Sequence, residues 1–217
     1  MPKVKIPRKS TIVDMTAMCD VAFLLLTFFI LATKQKPPEV LSVAPPTSVS
    51  SKAAPDKSIL ITLTKEGRVF LMLGDDTKKG AIIDDINKTR NLQLSPQELA
   101  KLKKSEFIGF PLNKLKSALN AEKQIPASSM EGIPVDSSNN ELKYWLRSVT
   151  NAYAGGNQKD LEKMLLVKGD GEALYPVFKN IKDAFKANEL FKFRIVTDSE
   201  PVPTGSELYK TGKTVEK

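Results

Sequence analysis

The longest apolar run of the chain lies near its N-terminus, between two groups of lysine and arginine residues. From Met15 to Thr33 it approaches the ~20 residues that a helix needs to cross the hydrocarbon layer. Asp20 is the only formally charged residue in that window. This acidic residue and the length of the run argue against a cleaved signal peptide, and a run apolar on nearly all sides fits a soluble core poorly. The pattern predicts a transmembrane helix over residues 12–33, preceded by a tail over residues 1–11.

The next segment, residues 34–57, is rich in proline, with two Pro-Pro pairs, Pro37–Pro38 and Pro45–Pro46. Paired prolines favour an extended chain, so this segment is predicted to be an extended linker. Two interpretations stay open. The linker is either a passive spacer or a segment that captures a partner by adding a strand or lying in a groove.

Short apolar runs and amphipathic stretches alternate over residues 58–198, which predicts a small α/β (α+β) domain. Alternating Ile59, Ile61 and Leu63, followed by the apolar run Val69–Leu73, predict a β-hairpin. Ser95 precedes a proline and stands three residues before Glu98, which is typical of a capped helix start. Residues 199–217 contain Pro201, Pro203, Gly205 and Gly212 and are predicted to be a flexible tail.

Further helices are predicted at 81–89, after Pro111, at 140–153 and along an apolar stripe from Leu174 to Phe185. Strands are predicted at 164–167 and 191–196. A strand, a helix and a further strand in this order predict a crossover connection, and hence a mixed sheet packed by helices.

Composition narrows the chemistry that the chain can perform. The formal net charge is +8, but basic residues are spread along the chain without interleaved aromatics, so no nucleic-acid partner is expected. Histidine is absent and Cys19 is the only cysteine. Any proton transfer near neutral pH must therefore use the carboxyl groups of Asp or Glu. Lys168–Gly171 lacks the ending of a phosphate-binding loop and is predicted to be a turn. We therefore expect no catalytic set, no cofactor, no metal site and no enzymatic activity.

Asp20 is the candidate functional residue because a carboxylate inside the bilayer is expensive. An ionised carboxylate there costs about 2.5–3.5 kcal/mol on insertion scales, and such residues usually mark ion pathways. Low-dielectric surroundings disfavour the charged form, so both protonation states become accessible. Thr16 and Thr27 lie within roughly 40° of Asp20 around a helix and complete a polar face. The alternative is that Asp20 only pairs with a neighbouring helix, while the threonines bond to their own helix.

The stretch from Asp14 to Phe29, DMTAMCDVAFLLLTFF, resembles the membrane signature of the ExbD/TolR family of biopolymer transport proteins. The resemblance implies a short cytoplasmic tail, one spanning helix and a periplasmic domain. It matches Asp20 to the family's proton-carrying aspartate and Thr27 to a polar pore-side position. Ala17 stands where many members have proline. Relative to compact members, residues 91–136 are identified as a helical insertion.

The same resemblance implies the partners. A pentameric ExbB-like channel protein would surround a homodimer of this chain, and a TonB-like protein would receive the motion, with peptidoglycan as a further open partner. It also implies a location in the bacterial inner membrane with a cytoplasmic N-terminus, which Lys3, Lys5, Arg8 and Lys9 favour modestly. Three alternatives stay open: a TolR-like role in envelope integrity, a stator subunit of the MotB kind, and a membrane-anchored scaffold without an ion role.

Overall fold

The protein consists of two units, residues 1–39 and residues 40–217, which are described separately. In the first, one helix, α1 (Met15–Ala32), accounts for all the described residues. The second contains a four-stranded sheet with its helices. The structure, a computed structural model, describes residues 15–32, 41, 43–49, 54–55, 57–121, 125–126, 129–156 and 158–200.

The main sheet of the second unit is mixed, as the sequence predicts. Its strands lie in the order β3 (Val69–Leu73), β2 (Ile59–Leu63), β4 (Leu165–Gly169) and β5 (Arg194–Ile195). β2 pairs antiparallel with β3 through the predicted hairpin, and parallel with β4. β4 and β5 are also parallel, so the crossover connection is confirmed. A separate pair of short parallel strands joins β1 (Thr47–Ser48) to β6 (Asp198–Ser199).

The helices of this unit contribute apolar residues to one core cluster together with the strands of the sheet. They are α2 (Asp76–Thr89), α3 (Pro96–Lys104), α4 (Leu112–Leu119), α5 (Leu142–Ala152), α6 (Gln158–Met164) and α7 (Tyr175–Lys186). Ile59, Ile61 and Leu63, which alternate along β2, join one core cluster with Trp145 of α5 and Phe185 of α7. The predicted α+β class, a single apolar helix followed by a small domain, is therefore confirmed.

Helix starts agree with the sequence where a local capping signal exists. At Ser95 the full capping box forms, with the hydroxyl accepting from the Glu98 N–H and the Glu98 carboxylate accepting from the Ser95 N–H. α2, in contrast, begins at Asp76 rather than Ala81, because the Asp75 carboxylate accepts from the Thr77 N–H at 3.1 Å. The sequence did not predict α6.

Residues of the segment 91–136, which is predicted to be an insertion and is called the insertion here, cover the outer edge of the sheet. Leu71 of β3 exchanges two backbone hydrogen bonds with Ile108, at 2.9 and 2.8 Å. Ile133 donates to the Val69 carbonyl at 2.7 Å, and Gly132 donates to the Gly109 carbonyl at 2.9 Å. An open strand edge is a template for unwanted pairing. The insertion therefore blocks the β3 edge with its own backbone.

Replacing Gly132 with alanine is expected to loosen this edge. Gly132 has φ +90°, and an added Cβ would lie 2.9 Å from the backbone nitrogen of Val69. The strain and overpacking are expected to lower the free energy of unfolding by roughly 1–3 kcal/mol. Denaturant unfolding of the full chain, followed by circular dichroism, measures this. Gly155→Ala is the matched control, since an added Cβ there has nothing within 4 Å. Equal stability of the two variants would contradict the described edge.

Part of the predicted linker packs on the domain. We call this part, Leu41 with residues 43–49, the strap. Leu41 and Val43 are buried in a second apolar cluster with Phe70 of β3, and the insertion adds Phe107 and Met130 to it. Farther along the strap, the Asp198 N–H donates to the Pro46 carbonyl at 3.1 Å. Over these residues the chain packs on its own domain, whereas the sequence left a passive spacer and a partner-capturing segment both open.

The other predicted boundaries differ less from the structure. β5 covers two residues where the sequence predicts a strand over 191–196. Ser199, predicted as the first residue of the tail, belongs to β6. The rest of the predicted tail, residues 201–217, and the predicted N-terminal tail, residues 1–11, lie outside the described residues.

Candidate ion-coupling helix

α1 has the dimensions and the composition of a membrane span. Its 18 residues extend about 27 Å at 1.5 Å per residue, close to the thickness of the hydrocarbon layer. Among the described residues it is the one helix long and apolar enough to cross a membrane, judged by length and composition. None of its residues is buried. Side chains such as Phe23, Phe28 and Leu31 are left exposed and need lipid or other helices around them.

All three predicted site residues lie on α1, four and seven positions apart along the helix. Asp20 and Thr16 are exposed, whereas Thr27 is half-buried. The Thr27 hydroxyl donates to the Leu24 carbonyl of the same helix at 2.9 Å. This bond was anticipated under the alternative in which the threonines serve their own helix. Thr27 is therefore held in a local bond when α1 is considered alone.

The arrangement offers one titratable carboxyl group on an apolar rod. No second charged residue lies on α1, so within the helix Asp20 has no ionic partner. A single helix also has no second wall with which to enclose a path for ions. Any pathway through Asp20 must therefore be completed by helices of other molecules, which would also cover the exposed apolar side chains.

A comparison with protein families matches residues 7–200 to the model of the biopolymer transport protein ExbD/TolR. The chain belongs to the ExbD/TolR family. The match includes α1 and the whole described part of the second unit, so it covers most of the sequence. No curated protein and no solved structure matches the chain significantly.

Several general conclusions about this chain follow from its membership of the ExbD/TolR family. The chain is a subunit of a biopolymer transport motor, and its family consists of transport accessory proteins without enzymatic activity. Family membership implies partnership with ExbB/TolQ-type membrane proteins and with TonB or TolA. The one apolar helix found among the described residues, near the N-terminus, and the family match together indicate a membrane protein with a single span.

The segment Lys168–Gly171, which lacks the ending of a phosphate-binding loop, contains the last two residues of β4 and the start of the turn that follows it. The Asp170 carboxylate accepts from the Glu172 N–H at 2.9 Å and from the Ala44 N–H of the strap at 3.1 Å. These two backbone donors, Glu172 first, hold the pKa of Asp170 below its usual value. The predicted strand-to-helix turn is confirmed, and it also anchors the strap.

Within the described residues no group of three or more His, Cys, Asp or Glu could hold a metal ion.

The sequence reasoning missed the strap residues. Leu41 and Val43 are spaced two apart, which is the spacing of one face of an extended strand. That signal was available, but the surrounding prolines pointed to a spacer. Only the position of Phe70 opposite these two residues shows what they pack against.

Proposed function

We propose that this chain is the proton-carrying subunit of an ExbB–ExbD-type complex, which energises TonB-dependent transport across the outer membrane. Asp20 is the residue that takes up and releases the proton, and Thr16 and Thr27 line the same face of α1. The observation that carries the proposal is the family match through α1, where Asp20 is the only charged residue. A carboxylate in such surroundings is retained for function far more often than for packing.

The mechanism uses the two protonation states of one carboxyl group. Neutral Asp20 tolerates hydrocarbon, whereas ionised Asp20 favours a polar cavity at the interface with a neighbouring helix. Switching between the two states shifts the preferred position of α1 among its neighbours. A potential of 100 mV supplies about 2.3 kcal/mol for each charge that crosses, which the movement of α1 can pass to the second unit.

The proposed assembly follows the family. Two copies of this chain would stand inside a pentamer of an ExbB-like protein, with residues 1–11 in the cytoplasm and residues 12–33 in the membrane. The domain over residues 58–198 would lie in the periplasm and contact a TonB-like protein, with peptidoglycan as a second surface. Leu41 and Val43 bring the strap to this domain. The free linker would therefore be shorter than residues 34–57.

Three other functions compete with this proposal. A TolR-like subunit would use Asp20 in the same way but would work with a TolA-type protein in envelope integrity. A membrane-anchored scaffold would have no ion role and would tolerate Asp20→Leu without loss of function. A stator subunit of the MotB kind carries a larger peptidoglycan-binding domain, for which the sequence has no matching signature.

Affinity purification of the tagged full chain from native membranes tests the proposal. We expect a polytopic membrane protein to co-purify in detergent, because the Asp20 carboxyl group of α1 needs a polar partner on a neighbouring helix, which lipid or detergent chains do not supply. Native mass spectrometry is expected to give more copies of that protein than of this chain. Recovery of a TonB-type or a TolA-type protein separates the two motor roles. Recovery of this chain without any polytopic protein would contradict both.

A further inference from the structure

A polar cleft lies between the first half of α2 and the C-terminal end of α3. Its volume is about 420 Å³, and it is open to solvent. The residues that close it on the α3 side, 103–106, belong to the insertion 91–136. Its lining consists of Asp76, Lys79, Gly80, Lys103, Lys104 and Glu106.

The base of the cleft holds the side chain of Lys79, whose ammonium group has unused donors. Lys79 is only 6% exposed. Its Nζ donates to the Ser105 carbonyl at 2.6 Å and makes no other hydrogen bond or ion pair with any described residue. An ammonium group carries three N–H donors, and leaving buried donors unmet costs free energy. Burial lowers the pKa of Lys79, while Asp76 and Glu106 oppose that shift. Two donors of Lys79 thus remain for a ligand.

The rim of the cleft carries charges of both signs. Asp76, Lys104 and Glu106 form no hydrogen bond or ion pair through their side chains in the part of the chain that the structure describes. Lys103, in contrast, is occupied by an ion pair with Asp84 at 3.1 Å. Two ammonium groups and two carboxylates are therefore available to a ligand.

This balance of charges selects the class of ligand. A phosphate group would meet the carboxylates of Asp76 and Glu106, and a simple cation would meet Lys79 and Lys104. A molecule with one carboxylate and one ammonium group satisfies both pairs. We propose that the cleft binds a small zwitterion, an amino acid or a dipeptide, with its carboxylate on Lys79 and Lys104 and its ammonium group on Asp76 and Glu106. This site stands independently of the proposed proton motor.

Isothermal titration calorimetry of the full chain in detergent tests the site, with glycylglycine as the probe. We expect saturable binding with one site per chain. N-acetylglycine lacks the ammonium group and glycinamide lacks the carboxylate, so each is expected to bind at least about tenfold more weakly, as the loss of a charged hydrogen bond predicts. Inorganic phosphate binding as well as glycylglycine, or no saturable binding of the dipeptide, would overturn the proposal.

Variants locate the binding in the cleft. Lys104→Gln and Asp76→Asn remove exposed charges from opposite sides of the rim, and each is expected to weaken glycylglycine about tenfold. Gly80→Leu fills the cleft without changing its charge and should abolish binding. Lys88→Gln, at an exposed position near the end of α2, is the matched control and should bind as the natural chain does. Equal losses in Lys88→Gln and Lys104→Gln would refute the assignment to this cleft.

Discussion

Asp20→Asn is expected to stop energy coupling while the protein still inserts and folds. Asparagine has nearly the size of aspartate but cannot take up or release a proton. The helix then loses the contribution of about 2.3 kcal/mol per proton and 100 mV, which corresponds to a factor of roughly fifty in an equilibrium constant. Uptake of an iron carrier across the outer membrane should fall to background in cells that express only this variant, as measured by transport of the labelled carrier.

Neighbouring substitutions separate the loss of a proton site from damage to α1. Cys19→Ser changes the adjacent exposed residue without touching a titratable carboxyl group, so uptake should stay normal. Asp20→Glu keeps a carboxyl group at a shifted position and should retain part of the activity. Immunoblots must show equal amounts of each variant in the membrane fraction. Normal uptake with Asp20→Asn at that level would exclude the proton-carrying role.

Trp145→Ala is expected to have the largest effect on the stability of the domain. Trp145 is fully buried on α5, which packs against α2 and α7. Removing so large a side chain leaves a cavity and costs about 3–5 kcal/mol, a large part of the 5–15 kcal/mol that typically stabilises a domain. Trp145 is the only tryptophan, so the substitution removes the tryptophan fluorescence of the protein. Unfolding of the full chain in urea should therefore be followed by far-ultraviolet circular dichroism.

Two further variants show whether the loss of stability in Trp145→Ala comes from the core position itself. Trp145→Phe keeps an aromatic ring in the core and removes the indole N–H, which is buried without a hydrogen-bond partner among the described residues. It should be at least about 2 kcal/mol more stable than Trp145→Ala, because both variants lack the indole N–H but phenylalanine leaves a smaller cavity. Arg147→Ala, at an exposed position of the same helix, should change stability by less than about 0.5 kcal/mol. A loss as large as that of Trp145→Ala would point to α5 as a whole.

Features with a local cause could be predicted from the sequence. The capping box at Ser95 needs only Ser95, Pro96 and Glu98, which lie within one helical turn. The local sequence is therefore enough to predict it. The hairpin of β2 and β3 follows from the alternation along each strand and the short connection between them. The start of α2 was missed because Lys78, Lys79 and Gly80 break the apolar pattern, although Asp75 caps the helix there.

Contacts between distant segments could not be predicted in this way. Phe107 and Met130 lie far apart in the sequence, yet both pack around Phe70 with the strap residues Leu41 and Val43. Likewise, Lys79 is an ordinary lysine of an amphipathic helix until the end of α3 packs over it and its Nζ donates a hydrogen bond to the Ser105 carbonyl. The candidate cleft depends on that packing, whereas Asp20 stands out from composition alone.

The sequence by itself determined that this protein has one apolar helix with a single acid, followed by an α+β domain with a mixed sheet. Hydrophobic periodicity and the cost of a charge in hydrocarbon act over a few neighbouring residues, so both can be read along the chain. Only the tertiary structure decided that the insertion covers the β3 edge, that the strap belongs to the domain, and that Lys79 is buried. These three features depend on contacts between segments that are distant in the sequence. Burial and hydrogen bonding stabilise such a segment only after the other segment has packed against it.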